Sequence, residues 1–335
     1  MRVVHFLTAA AAVLIATSAN VANVMAQEIE LKVSHYLPPN HTFQRALTAW
    51  GEELEKSSNG KLKLRIYPSS QLGPVNRQFE LAKNGVADIA VVLHGATPGR
   101  FPLSELVSGP YVSPNAGLAS AVTSRRLTEL AAEYLAKEHD GTRILWMAVT
   151  PPLMFHSIKP ITKLDDFKGL RVRYAGANFK AIIDALSGVP LAVPPAETQD
   201  ALSKGIIDAA TFPYEGAASF DLGTIAKFTL EPGISAATFA VVMNQAKFDG
   251  LPAELKALIE KTTGAARGEW YGRMWDASET EGRNSLAAKG MKTNILAADE
   301  LQKVKSIVLP LNATAIAEVA KKGLPAQAFF DAYIE

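Results

Sequence analysis

Apolar and polar residues alternate from Ile29 to Ser34, with Ile29, Leu31 and Val33 set against Glu30, Lys32 and Ser34. That period of two predicts a first strand. A loop follows, His35-Tyr36-Leu37-Pro38-Pro39-Asn40. Phe43, Leu47, Trp50 and Leu54 then recur at spacings of four, three and four, which marks one face of a helix capped near Thr42 and ended near Asn59-Gly60. Leu62, Leu64 and Ile66 alternate again as a second strand. A short helix over Phe79 to Lys83 is stopped by Gly85, and Ala87 to Val92 is an apolar strand. Strands alternating with helices predict an α/β fold, here a parallel sheet with both faces covered.

The chain then echoes itself. Leu81-Ala82-Lys83-Asn84-Gly85-Val86-Ala87-Asp88 resembles Leu202-Ser203-Lys204-Gly205-Ile206-Ile207-Asp208. Each piece ends a helix on Lys and Gly, then enters a buried strand through an apolar residue and Asp. Another strand, Leu170 to Tyr174, and another helix, near Phe179 to Leu186, precede the second copy. The same strand–helix–strand device is therefore expected twice, once in each of two lobes. Asp88 and Asp208 sit at matched helix-to-strand junctions, which suits a structural role.

Glu254 to Ala288 carries only glycines as breakers and reads as one long or slightly broken helix. At about 30 residues it would reach about 45 Å and would have to lie across both lobes. Pro310 is expected to separate two final helices.

The amino terminus sets the compartment. Met1 and Arg2 precede an apolar run from Leu7 to Ala16 and the small-residue site Val24-Met25-Ala26. That pattern fits a secretory signal over residues 1–26 cleaved after Ala26, and it is too short for a spanning helix. Arg2 is the only charged side chain in it, so the 34 basic and 33 acidic residues of the chain become 33 of each. A neutral mature chain argues against nucleic acid or an anionic membrane as the main partner. There is no cysteine, which excludes disulfides, zinc–thiolate sites and cysteine nucleophiles.

Ligands of such sheets sit beyond the carboxyl ends of the strands. The residues there are His35 and Tyr36, His94, Phe155, Arg173, Phe212, Tyr214 and Glu215, a set that suits an apolar pocket with a few polar contacts. Arg171 and Arg173 alternate with Leu170, Val172 and Tyr174, which puts both on one face of a strand. A buried arginine needs an anion, either an internal acid or a bound carboxylate gripped by the planar guanidinium fork. Arg173 lies nearer the strand's exit and is the better cleft candidate. The histidines show no helical His-x-x-x-His spacing and no acid cluster, so no metal or other cofactor is expected. An enzyme would show a nucleophile elbow, a Gly-x-Gly-x-x-Gly turn or a P-loop; none occurs.

Gly169-Leu170-Arg171-Val172-Arg173, preceded by Lys159-Pro160-Ile161 and Leu164-Asp165-Asp166-Phe167-Lys168, resembles the signature of the periplasmic binding proteins of TRAP (tripartite ATP-independent periplasmic) transporters, the DctP type. Ser70-Gln71-Leu72-Gly73, Gly85 to Asp88, Glu197 with Ala201-Leu202, and Asn244 with Phe248 and Leu251-Pro252 extend the likeness over nearly the whole mature chain. The resemblance implies a two-lobed fold of the periplasmic binding protein type II (Venus flytrap) kind with a long helix spanning both lobes. The expected division is residues 27–150 with 239–278 in the first lobe, and 151–238 with 279–335 in the second. It implies periplasmic binding of a small organic carboxylate, delivery to a small and a large membrane subunit, and Arg173 as the carboxylate's partner. A binding protein of an ABC importer or a chemoreceptor would share the fold. The family's sugar-acid binders often carry a further arginine where this chain has Leu153, and Asn where it has Phe212. Both departures imply a less polar ligand, a monocarboxylate with an apolar or aromatic body.

Overall fold

The computed structural model describes residues 28–113 and 119–335. The secretory segment and its cleavage site lie outside the described residues. Among the described residues eleven strands form two sheets. The first holds β1 (Ile29–Ser34), β2 (Leu62–Tyr67), β3 (Ile89–Leu93), β4 (Thr142–Val149) and β10 (Thr238–Asn244) in the order β2-β1-β3-β10-β4. The second holds β5 (Leu153–Ser157), β6 (Arg171–Tyr174), β7 (Val189–Ala192), β8 (Ala209–Phe212), β9 (Phe228–Ser235) and β11 (Lys292–Ile295) in the order β11-β9-β5-β8-β6-β7.

Both sheets are mixed, which corrects the expectation of a parallel sheet. β2-β1-β3 and β7-β6-β8 pair in parallel, as their helical crossovers require. The antiparallel pairs arise where the chain changes lobe. β4 leads into β5 through Thr150-Pro151-Pro152, and β9 returns into β10 through Ala236-Ala237. The two crossings hold each other: Thr150 N–H donates to the Ala237 carbonyl at 2.9 Å, and Ala237 N–H to Thr150 Oγ1 at 2.9 Å.

The internal repeat is real at the level of single bonds. Lys32 N–H donates to Asp88 Oδ2 at 2.7 Å, and Arg171 N–H to Asp208 Oδ2 at 3.0 Å. Asp88 N–H returns a bond to the Lys32 carbonyl, and Asp208 N–H to that of Arg171. Val86 and Ile206 N–H reach back to the carbonyls of Leu81 and Ala201. From the helix to the aspartate the equivalence runs at a constant 120 positions, with Gly85 and Gly205 both in the left-handed region, at φ 72° and 65°.

The long helical segment is broken once. Gly264 (φ 83°) separates Ala253–Lys261 from Ala265–Ala288. The 24-residue second helix reaches about 36 Å and does cross both lobes. Its Tyr271 and Trp275 lie in the first lobe's core and its Leu286 in a core of the second. Two glycines permit the contacts: a Cβ on Gly272 would stand 2.4 Å from the Ser120 carbonyl oxygen, and one on Gly282 would stand 2.7 Å from the Tyr214 backbone. After Ala298–Val308 and Pro310–Ala320 a third terminal helix, Ala326–Ile334, buries Phe329 and Tyr333 in the same core as Tyr271 and Trp275.

Candidate functional site

The strand tips of the two lobes meet face to face. A Cβ on Gly95, just after β3, would lie 2.7 Å from Gly176 Cα, just after β6. Between the lobes is an inner chamber of about 40 Å³. It opens through Tyr36, Leu93, Arg173, Ala175 and Pro195 into an outer mouth of about 500 Å³. The chamber walls are Leu37, Leu93, Phe239 and Trp275 from the first lobe and the long helix, and Leu153, Ala175, Phe212 and Phe220 from the second. Its polar contributors are Tyr36, His41, Thr150, Arg173 and Thr211.

Arg173 is 2 % exposed. Its Nε donates to the Val193 carbonyl at 3.1 Å and its Nη1 to the Thr211 carbonyl at 3.0 Å. The guanidinium lies 4.2 Å from the centre of the Phe212 ring, close enough for a cation–π contact. Among the described residues it has no carboxylate partner, and Nη2 is not engaged. Burial pulls its pKa down to about 10, with Tyr36 acting the other way, so it stays charged at neutral pH. Arg171, two residues earlier, is the opposite case. It is half-exposed and clamped by Asp208, with Nη2–Oδ1 at 2.7 Å and Nε–Oδ2 at 2.8 Å. One strand thus holds one neutralised arginine and one buried cation beside a cavity. A buried cation with a spare donor is a receptor for an anion.

Of the eight residues expected at the cleft, Arg173, Phe212 and Tyr36 line the chamber. The other five do not, for identifiable reasons. His94 turns into the first lobe: its Nδ1 accepts from Thr238 Oγ1 at 2.9 Å and its Nε2 meets His139 Nε2 at 3.2 Å. His139 donates its Nδ1–H to the Leu135 carbonyl at 2.9 Å, so the neutral pair is satisfied internally, and burial holds both rings well below the ordinary pKa. His35 is spent on Gln44, Nε2–Oε1 2.8 Å. Phe155 packs on Phe167 in a core of the second lobe. Tyr214 points to a groove behind the hinge and donates to Glu231 at 2.7 Å. Glu215 is buried and accepts from Thr42 and Ser219. Sequence reasoning did not assign Leu37, His41, Leu93, Phe220, Phe239 or Trp275 to the chamber. Leu37, beside Tyr36 after β1, and Leu93, at the end of β3, carried a positional signal. Leu153, singled out as a departure from sugar-acid binders, faces the same chamber as Phe212.

Two similar α/β lobes, a shared long helix and a buried, unneutralised arginine in the gap define a solute-binding protein of the two-lobed periplasmic class. Residues 33–318 match the family described as bacterial extracellular solute-binding protein, family 7 (DctP), and the chain belongs to it. A Comamonas testosteroni protein named outer membrane transporter protein TsaT is 25% identical over 315 residues, covering 92% of this chain and 91% of that one. The fold matches a TRAP solute-binding protein from Rhodoferax ferrireducens T118 in complex with copurified benzoate, at TM-score 0.87 and 27% identity, over 91% of this chain and 96% of that one. It also matches a marine metagenome TRAP solute-binding protein specific for aromatic acid ligands, in complex with 3-hydroxybenzoate, at TM-score 0.87 and 27% identity, over 92% and 97%. The protein is thus a TRAP-type solute-binding protein, and its family is periplasmic.

Proposed function

We propose that the ligand is a compact aromatic or otherwise apolar monocarboxylate, and that Arg173 holds its carboxylate. The observation that carries this is the pairing of one buried, unneutralised arginine with walls that are apolar at Leu153 and Phe212. A second carboxylate or a row of hydroxyls would meet Leu37, Leu93, Phe220 and Phe239 and lose its hydration without compensation. A ring would meet Phe212, Phe239 and Trp275 on favourable terms. The benzoate and 3-hydroxybenzoate held by two similar structures support the same class.

The mechanism follows from the two lobes. Ligand binds where Arg173 is anchored in the second lobe, and the first lobe adds Tyr36, Leu93 and Phe239 on closure. Closed protein is favoured by those extra contacts, and the ion pair strengthens as water leaves. The closed complex then delivers its cargo to the small and large membrane subunits of a TRAP permease. No helix among the described residues is long and apolar enough to cross a membrane. The chain reaches the periplasm through residues 1–26 and begins at Gln27 once mature, which amino-terminal sequencing of exported protein checks.

Calorimetry of the mature chain tests the ligand class. Benzoate and 3-hydroxybenzoate are expected to bind and succinate and hexuronates are not. Tighter binding of succinate or a hexuronate than of either aromatic acid overturns the reading. Uptake of labelled benzoate into vesicles holding the two membrane subunits, dependent on added protein, tests the delivery step.

A further inference from the structure

We propose that Glu105 and Glu215 are positioning residues for ligand capture, each reaching across the gap to the N-terminus of the other lobe's equivalent helix and holding the lobes shut. The inference rests on the solute-capture reading above and extends it to residues that touch neither the chamber nor its mouth.

Glu215 belongs to the second lobe, on the short helix Tyr214–Ser219 after β8. Its Oε1 accepts the Thr42 backbone N–H at 2.9 Å and the Thr42 hydroxyl at 3.0 Å, with the Ser219 hydroxyl also at 3.0 Å. Its Oε2 lies 3.2 Å from His41 Nε2. His41 Nδ1 accepts the Phe43 N–H at 3.1 Å, so the proton of the neutral ring is on Nε2 and faces Glu215. Thr42 begins the first lobe's helix Thr42–Ser57. Glu105 makes the reciprocal contact. It sits on helix Pro102–Leu106 after β3, in the first lobe. Its Oε2 accepts the Ala177 N–H at 3.0 Å, and its backbone carbonyl accepts from Asn178 Nδ2 at 2.6 Å. Ala177 begins the second lobe's helix Ala177–Ala185.

The two receiving helices are equivalents in the internal repeat. Each follows the lobe's first parallel strand, β1 or β6, and returns to the neighbouring edge strand, β2 or β7. Both glutamates are buried, at 4 % and 7 % exposure. A carboxylate at a helix N-terminus satisfies N–H groups that the helix itself leaves free. Here the acceptor and the helix belong to different lobes, so both bonds exist only while the lobes are together. Apparent ligand affinity follows the population of the binding-competent closed state. Each bond therefore tightens capture without touching the ligand.

The two sites differ in a way that makes the assignment testable. Glu215 takes three hydrogen bonds on Oε1, while its Oε2, without a hydrogen-bond partner, faces the His41 Nε2 proton at 3.2 Å, so a carboxamide would set its own N–H groups against that ring N–H. The Glu105 carboxylate serves one donor, the Ala177 backbone N–H, through Oε2 while Oε1 has no partner. A carboxamide can replace it. Glu105→Gln should therefore keep the latch and Glu105→Ala lose it, whereas Glu215→Gln and Glu215→Ala should both lose it.

The test uses the full mature chain with benzoate as the probe. Because the protein has no cysteine, spin labels at Lys56→Cys and Lys168→Cys report the distance between the lobes without further changes. Glu105→Ala, Glu215→Gln and Glu215→Ala are each expected to raise the benzoate Kd roughly tenfold through faster dissociation, the loss of one charged hydrogen bond from the closed state. They should also lower the closed fraction in the distance distribution. Glu105→Gln is expected to match the unaltered protein in both. Unchanged Kd and closed fraction in Glu215→Gln, or equal behaviour of Glu105→Ala and Glu105→Gln, overturns the proposal. If Glu215→Ala fails to fold, Glu215→Gln decides. If the unaltered protein gives no heat with benzoate, the ligand reading fails by itself. The latch is then judged on the closed fraction of ligand-free protein, where no change between variants rejects it.

Discussion

β1 and β6 start the two lobes in the same way and differ where it matters for binding. Each pairs in parallel with the strand that follows the repeated helix–glycine–aspartate turn. Each gives one backbone N–H to that aspartate, Lys32 to Asp88 and Arg171 to Asp208. Two residues further, one strand has Ser34 and the other Arg173, both buried. Ser34 is opposite Ala90 and Arg173 opposite Ala210, so the backbone frame around them is the same. The comparison teaches that the duplicated frame sets where a charge can stand, and a single side chain decides which lobe carries it. The first lobe contributes aromatic and aliphatic surface; the second contributes the cation.

The most damaging way to erase the difference is Arg173→Ser, which makes β6 resemble β1. Binding of a carboxylate should weaken by roughly 2–5 kcal/mol, since a desolvated anion is left without its partner. Arg173→Lys should also bind worse because the fork is lost. Calorimetry with benzoate reads both, and unchanged affinity in either removes Arg173 from the site.

The aspartates give a smaller, structural contrast. Asp88 is buried, and Asp88→Ala strands the Lys32 N–H; the expected cost is about 1–3 kcal/mol of unfolding free energy. Asp208 is more exposed and its partner Arg171 can return to water, so Asp208→Ala should cost about 1 kcal/mol or less. Denaturant unfolding separates the two, and a larger loss at Asp208 would reverse the argument.

Glu105 adds a dependence on pH. Burial raises its pKa from the ordinary 4.5 to about 7, helped by Glu138 and opposed by the Ala177 N–H and by Lys322. A carboxyl raised in this way binds its proton more tightly folded than unfolded. Its contribution to stability is complete below the unfolded value and is lost as pH rises through the folded one. Measured from about pH 5 to about pH 8, unfolding free energy should decline more in the unaltered protein than in Glu105→Gln. Parallel curves would place the titration elsewhere. The least effect is expected at the turns: Gly85→Ala and Gly205→Ala should each cost about 1 kcal/mol, and equally, because both positions hold positive φ. Unequal losses would show that the two turns are held differently.

Much of this was legible before any coordinates. Alternation located β1, β2 and β6, and the repeated lysine, glycine and aspartate announced a duplicated unit. Arg173 was recognisable from its place at a strand exit, and Leu153 and Phe212 from what the family's sugar-acid binders carry there. The failures share one cause. His35, His94, Tyr214 and Glu215 also follow strands and Phe155 lies within β5, but a place on or after a strand fixes where the backbone goes and not which neighbours claim the side chain. Thr238 and His139 claim His94 from 144 and 45 positions away, and no local pattern reveals that. The antiparallel strands were missed for a similar reason, since β10 joins the first sheet only after the chain has built most of the second lobe.

By itself the sequence determined the local elements, the duplication and the chemistry available at β6, because periodicity, glycine conformation and side-chain charge act over a few residues. Tertiary structure alone decided which charges are neutralised. Arg171 and Arg173 share one face of β6 by spacing, yet Asp208 reaches one and the interlobe chamber meets the other. Burial and partnership depend on contacts between segments far apart in the chain, and those contacts leave Arg173 a cation beside the gap.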